Sequence, residues 1–170
     1  MVKASSASAA GGPVLGAEHV AFLSDDAISS AVAGRDATNQ PSVAKALAVR
    51  AFADRQIVEI FVDAERSVGV LRDVRAGGPL AIVCSEPRSH RTIQVKGGRA
   101  QIEALAPGDE QFVSAKVDAL VKHIGRLGYP DDALRAYFAF TPGTLTKIVF
   151  SPSAAFLQTP GPGAGAPLKT

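Results

Sequence analysis

Hydrophobic and polar residues alternate along much of this chain with a period of two, and they switch to a helical period in only a few places. The clearest alternation is Arg91-Thr92-Ile93-Gln94-Val95-Lys96, with Ile93 and Val95 on one side and Thr92, Gln94 and Lys96 on the other. This pattern marks a half-buried strand with a polar face. Gly97-Gly98 allows a bend or bulge, after which residues 100–105 continue the strand. Residues 57–62 form a β-rich run apolar enough for a central strand, and residues 80–84 and 145–150 are further strands. Residues 28–33, the turn-rich stretch 34–41 and the segment 42–52 together predict an antiparallel hairpin.

Helical spacing appears over residues 67–75, where Val68, Leu71 and Val74 or Arg75 recur three or four apart, and Gly77-Gly78-Pro79 ends the run. The longest predicted helix opens at Pro107-Gly108-Asp109-Glu110 with Asp109 as its cap. It carries Val113, Val117, Leu120, Val121, Ile124 and Leu127 on one stripe and closes at Gly128. Shorter helices are expected over residues 18–23, with Ala17, Val20, Ala21 and Leu23 or Ser24 on one side, and over 129–137. Six or so strands joined by short antiparallel links, with helices inserted, predict a mainly β protein with α insertions. A closed or partly closed barrel removes the exposed edges of so many strands.

The composition adds limits to this picture. The 170 residues suit one domain, expected over residues 16–157, with a disordered leader over 1–15 and a Pro/Gly-rich tail over 158–170. Eighteen Lys+Arg against sixteen Asp+Glu leave +2, with no basic stripe, so nucleic acid is a poor partner. No apolar run is long enough to span a membrane, and the N-terminus has no secretory core, so a cytoplasmic protein is expected. One cysteine, Cys84, excludes an internal disulfide framework and a Cys-rich zinc site.

The chain has no glycine-rich phosphate loop opening a helix, no HExxH and no GxSxG. His123 is expected on the solvated flank of the long helix, and His90 at a turn. Lys45 and Arg50 lie five apart, so a regular strand puts them on opposite faces unless a bulge shifts the register. Arg66 and Ser67 precede a helix, which makes either an anion site or a plain N-cap beside a solvated guanidinium. Thr92, Gln94 and Lys96 form a polar strand face.

The order of these pieces resembles the FMN-binding split-barrel family related to pyridoxamine 5′-phosphate oxidase. In that family a strand Arg-x-Val-Leu-Leu-Lys touches the flavin, and Lys45-Ala46-Leu47-Ala48-Val49-Arg50 is similar to it with the basic ends exchanged. Ile60-Phe61-Val62 resembles the following Phe-Tyr-Thr strand, and Arg66-Ser67-Val68 the Ser-Arg-Lys phosphate clamp, with Val68 standing in place of the lysine. The run from Arg91 to Gly97 resembles Arg-Gln-Val-Arg-x-x-Gly. The substrate motif with Arg and His at the oxidase C-terminus is absent.

The resemblance implies a six-stranded antiparallel split β-barrel flanked by helices, homodimeric, with FMN at the subunit interface. It implies cofactor contacts from Lys45, Ala46, Leu47, Arg50, Val62, Arg66, Ser67, Arg91, Thr92 and Gln94. It implies a flavin-dependent oxidoreductase acting on an unknown small molecule. Two alternatives stay open in the same fold: an F420-dependent reductase, and a non-catalytic haem- or ligand-binding protein, a sensor or storage protein, with His19 or His90 as axial ligand.

Overall fold

A computed structural model describes residues 13–168. Seven strands form one antiparallel sheet in the order β2-β1-β5-β6-β7-β4-β3. They are β1 (Ser29–Arg35), β2 (Pro41–Ala46), β3 (Ala48–Phe52), β4 (Ile57–Asp63), β5 (Leu80–Ser85), β6 (Thr92–Glu103) and β7 (Leu145–Leu157). The helices are α1 (Ala17–Leu23), α2 (Val68–Arg75), α3 (Asp109–Gly125) and α4 (Asp131–Phe138). The expected strand count of six becomes seven because the segment 42–52 divides at Leu47. Its first half pairs with β1 and its second with β4. The two ends of the sheet are therefore joined by one residue, and Leu47 N–H donates to Phe61 O at 2.8 Å. The sheet thus curls into a barrel without a long free edge.

The barrel interior is filled by alternate residues: Val32, Ala44, Ala46, Val49, Val58, Ile60, Val62, Ile82, Cys84, Ile93, Val95, Ile148 and Phe150. Phe22 and Leu23 of α1 and Val70, Leu71 and Val74 of α2 join the same core. Leu15, inside the expected leader, is buried there too, and its N–H donates to Gln56 Oε1 at 3.0 Å. Residues 1–12 of that leader lie outside the described residues. Val68, expected on the apolar face of α2, is 66% exposed, and the buried stripe runs through Val70 and Leu71 instead. In α1 the buried residues are His19, Phe22 and Leu23; of the expected side Leu23 is buried and Val20 half-buried against the core, while Ala17 and Ala21 are exposed. Among the described residues, no helix is long and apolar enough to cross a membrane.

The glycine pair in β6 makes the expected bulge, with register shifts between Lys96 and Gly97 and between Gly98 and Gln101. The same irregularity lets β7 run on to Leu157 through Pro152, which sits opposite Gly97. A proline is tolerated where the ladder is already broken, so the strand is longer than its apolar run predicts. A Cβ on Gly97 would stand 2.4 Å from both Phe150 Cδ2 and Ser151 O, whereas one on Gly98 meets nothing within 4 Å. Gly97→Ala is expected to cost about 1–3 kcal/mol in urea unfolding, as overpacking does, and Gly98→Ala less than about 0.5 kcal/mol. Equal costs would contradict the close approach at Gly97.

Candidate functional site

Leu47 also changes which way the side chains point. Ala44 and Ala46 face the barrel interior, and so do Val49 and Ala51. Leu47 and Ala48 both join a separate cluster outside it, with Phe61, Val113 and Leu145. The inward parity switches from even to odd across Leu47, so Lys45 and Arg50 both lie on the outer surface. The regular-strand expectation of opposite faces fails for this reason.

The two cations have different surroundings. Arg50 is held by Glu59 Oε2 (Nε, 2.7 Å) and Asp109 Oδ1 (Nη2, 2.8 Å), with its guanidinium 4.9 Å from the centre of the Phe112 ring. Asp109 Oδ2 accepts from the buried Lys147 Nζ at 3.1 Å and from Ala106 N–H at 2.8 Å. Asp109 is thus an ion-pair hub beneath α3, and the left-handed N-cap is Gly108 (φ 91°), which corrects the expectation that Asp109 caps the helix. Burial alone would raise its pKa, but the Ala106 N–H, Arg50 and Lys147 outweigh it and hold the carboxyl below its usual range. With two carboxylates already bound, Arg50 has little charge left for a ligand.

Lys45 has no carboxylate partner among the described residues. Its Nζ donates to Ser29 Oγ at 2.7 Å and stands 5.0 Å from the Phe138 ring centre. Burial pushes its pKa down to about 8. The last turn of α4 that covers it also meets Arg66, whose Nη1 donates to Tyr137 O at 3.4 Å. Ser67, next along, begins α2. It is 2% exposed and makes no cap bond, and its Oγ has no hydrogen-bond partner among the described residues. The start of α2 abuts β2, since a Cβ on Gly69 would lie 3.1 Å from Ser42 Cβ. Asp63 shapes the approach. Its Oδ1 accepts from Glu65 and Arg66 N–H, and its Oδ2 from Thr144 Oγ1. Lys45 and Arg66 thus both meet the last turn of α4, and Ser67 follows Arg66 at the start of α2. Cations, an orphan hydroxyl and helix N–H groups are the donor types of an anion site.

The other expected contacts distribute differently. Ala46 and Val62 point into the barrel and offer a ligand only their backbone, and Leu47 is buried under α3. Gln94 lies on the same outer face as Lys45, in the register row Lys45–Ala31–Val83–Gln94. Three strand spacings separate them, about 14 Å. Thr92 is nearly buried, and its Oγ1 lies 2.8 Å from Ser85 Oγ. Arg91 is turned away toward α1, with its guanidinium 4.5 Å from the Phe22 ring centre.

The histidines and the cysteine are mostly committed. His19 is buried, with Nδ1 accepting from Gly16 N–H and Nε2 3.4 Å from Glu18, so it presents no free nitrogen for an axial bond. His90 is exposed in the 86–91 turn at φ 58°. His123, expected in solvent, is only 18% exposed and bonds Glu86 Oε1 at 2.7 Å, because α3 crosses the β5–β6 turn there. Cys84 is fully buried, and burial pushes its thiol up to about 12, which makes it the inert residue its apolar strand suggested. The sequence reading missed Phe138 and Tyr137. Their only signal is an aromatic pair closing a short helix, and the helix's docking on β2 is a long-range contact that spacing does not reveal.

No protein-family model matches this sequence. No curated protein matches it either. Solved structures do share its architecture. A candidate pyridoxamine 5′-phosphate oxidase from Lactobacillus delbrueckii aligns with 84% of this chain and 93% of its own, with a TM-score of 0.51 and 14% identity. HupZ of Group A Streptococcus aligns over 89% and 100%, with a TM-score of 0.52 and 16% identity. A pyridoxamine 5′-phosphate oxidase-related, FMN-binding protein from Nostoc punctiforme aligns over 86% and 83% at 10% identity, but its TM-score of 0.45 carries no weight. At these identities the likeness concerns architecture: the chain has the split-barrel fold of the pyridoxamine 5′-phosphate oxidase-related proteins.

Proposed function

We propose that this protein binds FMN as a homodimer in the cytoplasm and acts as a flavin-dependent oxidoreductase on a small molecule. The observation that carries the reading is that, among the described residues, a half-buried Lys45 faces no carboxylate and the buried Ser67 hydroxyl has no partner. Both are costly without an anion to satisfy them. A phosphate ester fits such a donor set, with Lys45 and Arg66 supplying charge and Ser67 Oγ and the α2 N-terminus supplying directed N–H and O–H donors. Arg50 is excluded from this role by its two carboxylates. When bound, FMN supplies the hydride or electron transfer. The chain's own residues grip the phosphate and leave the open sheet face for the ring.

That face supports the dimer. On the outer side of β2-β1-β5, α4 covers Lys45, while Val43 is 69% exposed beside Ala31, Ala33 and Ala81. An exposed row of apolar side chains favours a second copy, and isologous pairing brings the Thr92–Gln94 edge of one chain toward the Lys45 neighbourhood of the other. Freshly purified protein is expected to be yellow after desalting, with the light-scattering mass of a dimer. A colourless monomer that leaves added FMN fluorescence unquenched contradicts the reading, and tighter binding of F420 than of FMN in parallel titrations would transfer it to the deazaflavin.

Ser67→Ala gives a test with opposite signs. Removing an unsatisfied buried hydroxyl is expected to leave the FMN-free protein as stable or more stable, by up to about 1 kcal/mol. The same change weakens FMN binding by about 1 kcal/mol, the worth of one hydrogen bond. Thermal unfolding with and without FMN reads both. A destabilised free protein with unchanged FMN affinity would make Ser67 an ordinary helix-start residue.

A further inference from the structure

β7 outruns its partner on one side. β6 pairs with it out to Leu157, whereas β4 pairs with it only from Leu145 to Phe150. Beyond Phe150 the β4 side of β7 is an edge, and among the described residues none of the seven strands covers it. The chain covers it with its own tail. Gln158 N–H donates to Thr92 O at 2.8 Å, and Thr92 N–H donates to Thr159 Oγ1 at 2.9 Å, which anchors the root of the tail on β6. Residues 160–165 then turn back, with φ 143° at Gly161 and 88° at Gly165. Gly165 N–H donates to Leu157 O at 2.7 Å, Leu157 N–H to Ala166 O at 2.9 Å and Leu168 N–H to Ala155 O at 2.9 Å. Pro167 stands opposite Phe156 in an antiparallel bridge.

Pro167 stops the sheet from growing further. The bonds beside the Phe156–Pro167 pair are made by its neighbours, so the backbone groups of Pro167 itself face outward. A proline has no N–H to offer there, and a further strand finds no donor. The edge beneath the tail has no such guard. From Ser153 to Leu157 it carries neither a charge nor a proline, the usual protections of a strand edge. The hold of the tail is slight. It consists of the backbone bonds named above and of Leu168, half-buried against the core, while residues 160–167 are exposed.

We infer that the β7 edge from Ser153 to Leu157 is a docking surface for a second copy of this chain, edge to edge and antiparallel, which the tail masks in cis. Such a pair is isologous. Centred on Phe156, it brings Leu157 N–H of each copy to Ala155 O of the other, the same two groups that the tail now satisfies. The surface is separate from the β2-β1-β5 face and independent of the flavin reading. Leu168→Asp in the full chain puts a charge where the leucine packs, and so releases the tail. Light scattering over a concentration series is expected to give at least twice the mass of the parent protein. Deletion of residues 160–170, which keeps the Gln158 and Thr159 anchors, is expected to give the same rise, with the circular dichroism of the parent. A synthetic peptide of residues 160–170 in excess is expected to return the deletion variant to the parental mass. Phe156→Lys in the deletion variant sets two ammonium groups opposite one another across the twofold axis, and is expected to restore the parental mass as well. Parental mass in either folded tail variant overturns the inference. So does a rise that neither the peptide nor Phe156→Lys reverses, which marks non-specific aggregation. Peptide binding at unchanged mass overturns it too, since the edge is then a peptide site rather than a surface for a second copy.

Discussion

Asp109→Asn is expected to destabilise the protein by about 3–5 kcal/mol, the cost of leaving a buried charge without its partner. The substitution keeps the shape of the side chain and removes the charge between Arg50 and Lys147. Arg50 retains Glu59, but among the described residues Lys147 has only Asp109, and its side chain is 6% exposed. The carboxyl is held below its ordinary pKa of 3.8 by the Ala106 N–H and by Arg50 and Lys147, which together outweigh burial. Its stabilisation is therefore complete above the ordinary value and disappears as pH falls through the lowered one. Denaturant unfolding of the parent and of Asp109→Asn should differ by the full amount at pH 7 and converge in strong acid. A difference below about 1 kcal/mol at pH 7, the size of an exposed pair, would show that the hub is not the buried junction described. Restoring balance with Asp109→Asn/Lys147→Met should recover much of the loss, since an apolar replacement removes the stranded ammonium.

The second large effect has the opposite pH dependence. Burial lowers the Lys45 pKa from 10.5 to about 8. Below pH 8 the folded protein bears the cost of a buried ammonium. As pH rises from 8 to 10.5 the folded chain binds fewer protons than the unfolded one, so this group adds stability over that window. A phosphate reverses the balance by favouring the charged amine. The FMN phosphate is already doubly ionised at neutral pH, so FMN affinity is expected to fall about tenfold between pH 7 and pH 9 as Lys45 loses its proton. Lys45→Ala should weaken binding at pH 7 by about 1–3 kcal/mol and flatten the pH profile. A profile that stays steep in Lys45→Ala would assign the titration to another group.

These two residues show what the sequence carries and what it hides. The alternation in residues 91–96 and the Gly97-Gly98 pair were sufficient to place β6 and its bulge, because period and glycine content are local properties. The helix after Ser67 and the long helix after Gly108 were equally legible. Leu47 was not. It sits in an unbroken apolar run, and only the closure of the barrel makes β2 and β3 pair with different strands and invert their facing. That inversion decides the site, since it brings Arg50 under α3 to Asp109 while Lys45 stays unpaired. The roles of Asp109 and His123 were hidden for the same reason. Their partners, Lys147 and Glu86, lie 38 and 37 residues away in sequence, and neither spacing nor propensity encodes such contacts.

The most direct test of the flavin site is an equilibrium titration of FMN fluorescence at pH 7 with the parent protein and with Lys45→Ala, Arg50→Ala and Ser67→Ala side by side. The account predicts saturable quenching at one FMN per chain, clear weakening in Lys45→Ala and Ser67→Ala, and for Arg50→Ala a loss of folding stability with the affinity of the folded fraction retained. Quenching that vanishes in Arg50→Ala and persists unchanged in Lys45→Ala would contradict it.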